Sequence, residues 1–413
     1  MSSILTNFSP TQVGQFTTAQ IHALTATDWA GLSTAQAQAL SSTQIAAITP
    51  SAIVAISSTA IAALGSSQVP GLTSAEMGTL TSTQVSVLDT ADLSSTQLGA
   101  LAVNAVAGLT TADINAMSTT QLRGLTVKEV AALNTAQVGS LSSTQVPALS
   151  SGQLGALSAN QYAALGTALT SSQLGFLSAS TVGGLSTAAI GALTSTQVPG
   201  LTAAQMTALN SAQVNALNTG TLSSTQLGAL SVGGLAGLST ADLNAFSNTQ
   251  LAGLTAKEVA ALSSAQVGAL SSSQAAGLTS TQLAAFTSSQ LGVLNIAGLS
   301  STQLGNFTAS AVAGLTTADM VALSSSQLPG FTGKEFAALS TALVDAIVSS
   351  QIQYLSTSEV SALTTGQIQS LSTGQVSSFT TSQLATLAYA QVAALSSTQM
   401  ASLSSTQIQA LAV

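Results

Sequence analysis

The sequence predicts an all-α solenoid of very short, self-capped helices, one to each eight-residue repeat. Three observations carry that prediction. A large apolar residue returns at every eighth position. A Ser or Thr followed three residues later by Gln recurs in the same register. Charged residues make up only 4% of the 413 residues, against about 25% in an ordinary globular protein, so the bias extends over the whole chain and marks a repeat.

From Phe8 the apolar position recurs at Phe16, Leu24, Leu32, Leu40, Ile48, Ile56, Leu64, Leu72, Leu80 and Leu88. The phase slips near 89–93, 166–169, 218–222 and 295–299, and after each slip the octad resumes, running on to Leu395, Leu403 and Leu411. Ser41-Ser42-Thr43-Gln44-Ile45-Ala46-Ala47-Ile48 is representative. With positions numbered one to eight, Ser/Thr at one and Gln at four form a capping box, in which the hydroxyl accepts from the fourth residue's amide and Gln reaches back to the first. The Leu that closes one octad and the apolar residue at position five of the next form the accompanying hydrophobic staple. Pro10 and Pro50 fall at position two, the first helical residue, where a missing N–H costs nothing. Nine of the twelve acids replace the position-four Gln: Asp28, Glu76, Asp113, Glu129, Asp242, Glu258, Asp319, Glu335 and Glu359. A carboxylate there completes the same box and suits the positive end of a helix.

One continuous helix is excluded by geometry. Eight residues turn through about 800°, so an octad stripe would drift by about 80° per repeat. Helices this short do not persist alone and need stacked neighbours. Pro70, Pro147, Pro199 and Pro329 stand at position six, inside the expected helix; those octads have room for one helical or 3₁₀ turn. A β-solenoid is the alternative fold, although apolar spacings of three and five do not match its period of two. The sequence reads as a single continuous solenoid over 1–413 without separate capping domains. The segment from Leu93 resembles that from Leu222, and Asp113, Asp242 and Asp319 each precede a Lys (Lys128, Lys257, Lys334) by 15 residues. If that recurrence is a contact, octads two apart stack, giving about 16 residues per coil; three octads per coil is the other arrangement.

Few residues invite chemistry. The chain has one His and no Cys, so a metal site built on those ligands and a nucleophilic triad both lack members. His22 stands at variable position six and reads as a surface residue. Trp29, Tyr162 and the seven Phe residues that replace the closing Leu (Phe8, Phe16, Phe246, Phe286, Phe307, Phe331 and Phe379) read as core, while Tyr354 and Tyr389 interrupt the pattern. Asp89 and Asp92 are the close acidic pair outside a capping role, a thin basis for Ca²⁺. No catalytic, cofactor-binding or metal-ligating residue is expected, and the chain is expected not to be an enzyme. Four cations, Arg123, Lys128, Lys257 and Lys334, against twelve acids cannot neutralise a nucleic-acid backbone. No apolar run spans a bilayer. Met1-Ser-Ser-Ile-Leu-Thr-Asn-Phe8 lacks the basic start and apolar core of a Sec-type signal.

The octad Leu-Ser/Thr-x-x-Gln-Val/Leu-x-Ala-Leu resembles the low-complexity, short-repeat proteins that bacteria place outside the cell, often adhesin-like. The scarcity of Lys and Arg and the lack of Cys and of a signal are similar to type I secretion substrates, though their Gly/Asp-rich nonapeptides are missing. The resemblance implies an extracellular or cell-surface setting and names no site residues. Octads that run to both ends leave apolar rungs without a polar cap, so the expected partner is the chain itself, joined head to tail into a filament or a surface or biofilm matrix. The alternative is a monomeric binding solenoid or adhesin fragment whose rows of Ser, Thr and Gln meet polysaccharide or ice.

Overall fold

Most octads begin in extended backbone at the N-cap, make one short helix of four to seven residues and turn out of it at the closing apolar residue. In the computed structural model residues 3–165 and 169–411 are described, and among them there is no strand. The chain divides into two compact units, Met1–Gln205 and Met206–Val413. Each unit is a solenoid of short helices.

The helices are brief because the octad supplies a start at one end and a stop at the other. In Thr34–Ala39 the Ser33 hydroxyl accepts from Gln36 N–H at 3.3 Å, and Gln36 Oε1 accepts from Ser33 N–H at 2.9 Å. Six residues on, Leu40 leaves the helix at φ −71°, ψ 141° and turns the chain into the next octad. Where Val348 or Ala388 stands at the cap, Gln351 or Gln391 still accepts from the cap N–H, so half of the box survives. The four octads with Pro at position six shrink to the 3₁₀ turns Val69–Gly71, Val146–Ala148, Val198–Gly200 and Leu328–Gly330, as the lost donor requires.

Three octads make one coil. Pro10–Gly14 packs on Thr34–Ala39, and in the second unit Ser264–Gly268 packs on Ser288–Leu291 and Thr341–Asp345 on Thr365–Ser370. Each start lies 24 residues from its partner's. The 16-residue coil suggested by the Asp-to-Lys recurrence is therefore corrected: Asp113 is hydrogen-bonded to Thr90 and Thr110, and that spacing reflects duplicated sequence rather than touching side chains.

The interruptions at 89–93, 218–222 and 295–299 are five-residue turns that replace one octad as one side of a coil. Ser74–Met77 consequently packs on Ser95–Leu98, and Ser288–Leu291 on Ala309–Val312, with three residues fewer between them. The interruption at 166–169 lies, but for Leu169, outside the described residues.

The core is made by positions five and eight. Val360, Ile368, Val376 and Leu384 at position five are fully buried, as are Trp29 and Phe336. Phe246, Phe286, Phe307, Phe331 and Phe379 close their octads in the core, with Phe286 and Phe307 edge to face at 6.4 Å. Phe8 and Phe16, also edge to face, are only half-buried. Tyr162 is buried, and Tyr354 and Tyr389 are exposed. Position seven is often Gly or Ala, and coils touch closely at some of these glycines: a Cβ on Gly253 would sit 2.1 Å from the Ser224 carbonyl oxygen, and one on Gly314 1.8 Å from that of Ser288.

Candidate functional site

A closing residue in extended backbone has a carbonyl that no helix bond can use. The position-four Gln solves this. Its side chain is buried in most octads, and while Oε1 accepts from its own cap, Nε2 donates to the octad four segments earlier, across the corner between two coils. Gln68 donates to the carbonyls of Ala37 at 2.8 Å and Leu40 at 2.6 Å. Gln282 reaches Leu251 and Leu254, Gln383 reaches Ile352 and Leu355, and Gln399 reaches Ile368 and Leu371, all at 2.7 to 2.9 Å. The five-residue turns obey the same rule, with Gln121 donating to Thr90 and Leu93 and Gln250 to Leu222. One amide thus starts a helix and ties two coils.

Acids in the same seat divide by length. Asp28, Asp113 and Asp242 use one oxygen for the cap and offer the other to the segment one coil earlier. Asp28 Oδ1 accepts from Ile4 N–H at 3.0 Å, Asp113 Oδ1 from the Thr90 hydroxyl at 2.9 Å, and Asp242 Oδ1 from the Thr219 hydroxyl at 2.5 Å. Thr90 and Thr219 belong to five-residue turns. Asp319 holds the equivalent place above the turn at 295–299, where Ile296 has no hydroxyl to give. The Thr25 hydroxyl, joined by the Ile4 and Thr25 amides, holds the Asp28 carboxyl below its ordinary range. Burial pushes Asp242 up, but hydrogen bonds from Ser239 and Thr219 outweigh it and leave the carboxyl lowered.

The Glu seats differ. Glu76, Glu335 and Glu359 accept at Oε2 from the cap N–H at 2.5 Å, while Oε1 is buried with no hydrogen-bond partner. Burial raises the carboxyls of Glu76, Glu129 and Glu335 despite the bonds from their cap residues. For Glu359 burial, with the charge of Glu335 added, pushes it up to about 7.

The other residues singled out from sequence do not converge on one place. His22 is exposed, with Nδ1 3.3 Å from the Ala47 carbonyl oxygen. Asp89 and Asp92 are exposed, and Asp89 Oδ1 accepts from Ala91 N–H in its own turn. Among the described residues no three His, Cys, Asp or Glu side chains gather to hold a metal ion, and no helix is long and apolar enough to cross a membrane. Sequence reasoning assigned Gln its capping role and missed its second bond. The available signal was the preference for Gln over Glu, because a capping box accepts either and the helix dipole favours the acid.

Fold and seat together define a short-repeat protein with three capped helical segments per coil. Residues 106–143, 114–159, 130–167 and 235–272 match the family model of the ALTTAQ repeat. The six letters of that name run from position seven of one octad to position four of the next, as in Ala132-Leu133-Asn134-Thr135-Ala136-Gln137, and so end on the residue that joins coils. No curated protein matches the chain.

Proposed function

We propose that this chain is a structural, non-enzymatic element that adds to further copies of itself, coil upon coil, in an extracellular filament or surface matrix. The observation that carries the reading is the bond between coils: the position-four Gln that ties each coil to the one before, as Gln383 does to Ile352 and Leu355, offers the same bonds to a coil of another copy. Ile408 at position five is 45% exposed, and Val392 and Met400 are half-exposed, whereas the same position is fully buried in Val360, Ile368, Val376 and Leu384. The closing carbonyls of Leu387, Leu395 and Leu403 have no donor among the described residues. At the opposite sense of the repeat, Gln12 and Gln20 are exposed and their Nε2 groups have no acceptor among the described residues, beside an apolar hollow lined by Ile4, Phe8, Phe16 and Leu24. An octad that joins coils inside each unit can join coils of two copies by the same bonds, which makes a second copy the fitting partner. Few charges oppose the approach.

Sedimentation and negative-stain imaging of the full chain test this. Linear oligomers should grow with concentration, and Met400→Glu with Ile408→Glu should abolish them while leaving the helical circular dichroism unchanged. A chain that stays monomeric at its highest soluble concentration overturns the proposal. The extracellular setting has its own check: immunogold labelling of producing cells should mark the outside.

A further inference from the structure

In a Gln seat the amide performs two tasks with two atoms: Oε1 accepts and Nε2 donates. In the seats of Glu76, Glu335 and Glu359 the accepting task is filled by Oε2, and Oε1 takes the donor's place, buried and without a partner. The register fixes what it meets. Gln351 donates to the Leu323 carbonyl and Gln367 to that of Leu339, each 28 residues earlier. The same offset brings Glu335 to Phe307 and Glu359 to Phe331, whose carbonyls have no other donor among the described residues. An ionised carboxyl is costly there, out of reach of water; a backbone bond from Phe331 favours the ionised Glu359, and burial outweighs it. A protonated carboxyl has the shape of the amide and donates Oε1–H where Gln donates Nε2–H.

We propose that Glu76, Glu335 and Glu359 each hold a proton in the folded chain and use it as the hydrogen-bond donor that ties one coil to the coil before. Glu335 and Glu359 stand on stacked octads 24 residues apart, so they form a seam that closes in acid and loosens when the protons leave. Hydrogen bonds from the caps offset the charge only in part, and no cation among the described residues pairs with it. The helix Thr357–Ala362 packs against Gly333–Ala338, which carries Lys334 and Glu335, and against Thr381–Leu384, which carries no titratable group. Lys334 is exposed and makes no ion pair among the described residues. Gly333–Ala338 also packs on Ala309–Val312, and Ser74–Met77 on Pro50–Ile53 and Ser95–Leu98, none of them charged. Burial, the first cause of the raised Glu359 carboxyl, acts in the same direction.

The sign follows from linkage. Between the ordinary value of 4.5 and about 7, folded Glu359 keeps a proton that the unfolded chain has released. Its contribution is complete below 4.5 and is lost as the pH rises through about 7. Thermal melting of the dilute full chain should show a midpoint lower by on the order of 5 °C at about pH 8 than at about pH 5. The triple variant Glu76→Gln with Glu335→Gln and Glu359→Gln restores permanent donors and should melt at nearly one temperature across that range. Glu335→Ala with Glu359→Ala should melt low throughout, separating loss of packing from loss of the proton. Infrared spectra near neutral pH should contain a protonated-carboxyl band that the Gln variant lacks. A wild-type midpoint indifferent to pH, a slope that survives in the Gln variant, or no such band overturns the assignment.

Discussion

Asp242 and Glu359 fill one seat in two coils of the same unit, and a single methylene separates their surroundings. Each accepts from its own cap, Ser239 N–H or Ser356 N–H. The shorter side chain then turns its free oxygen to the Thr219 hydroxyl in a five-residue turn. The longer one drives its free oxygen into the corner where Gln donates, and finds no donor. The carboxyl whose second oxygen meets a hydroxyl is lowered, and the carboxyl whose second oxygen is buried without a partner is pushed up, chiefly by burial. Burial raises both, and at Asp242 the bonds from Ser239 and Thr219 outweigh it. The unit Met206–Val413 therefore contains groups whose stability contributions have opposite pH slopes.

Removing the amide where it is most used should break the comparison hardest. Gln383→Leu, one coil beyond Glu359, strips the Ile352 and Leu355 carbonyls of their donor and the Thr380 N–H of its acceptor. Buried groups left unpaired should cost about 3–5 kcal/mol in a urea-unfolding measurement. The next effect in size belongs to Thr219→Val, which leaves Asp242 without its hydroxyl partner and should cost about 1–2 kcal/mol near neutral pH. Because folded Asp242 lies below the ordinary 3.8, its contribution is present above that value and lost as the pH falls through the folded one. The variant should therefore lose less stability in acid than the parent, a flatter acid limb in the same unfolding series. Smallest is Ser356→Ala, which deletes the acceptor for Glu359 N–H and should cost about 1 kcal/mol. Its alkaline slope should persist, since the Oε1 surroundings are untouched; a flattened slope would mean that the cap rather than the corner sets the carboxyl.

Much of this was legible in the residues. Ser33 with Gln36 gave the start of a helix and Leu40 its end, and Pro70, Pro147, Pro199 and Pro329 foretold the four 3₁₀ turns. The coil was harder, because an octad repeat carries no mark of how many octads close a turn. The Asp113-to-Lys128 spacing misled by recording duplication. The better signal lay between Thr90 and Asp113 and between Thr219 and Asp242, where a hydroxyl in an interruption precedes an acid by 23 residues. A local reading of the capping box also hid the corner bond, since its carbonyls lie 28 and 31 residues away. The unpaired oxygens of Glu76, Glu335 and Glu359 became visible only once the neighbouring coil was in place.

The three-sided coil constrains how such a gene can grow or shrink. Insertion or loss of three segments adds or removes a whole storey, and every seat below it keeps its orientation and its partners. One or two segments instead swing all that follows by a third of a revolution and pair each residue with a stranger on another wall. A five-residue turn counts as a full segment in this arithmetic, so recombination between unequal copies can trade an octad for a turn without disturbing the storeys on either side.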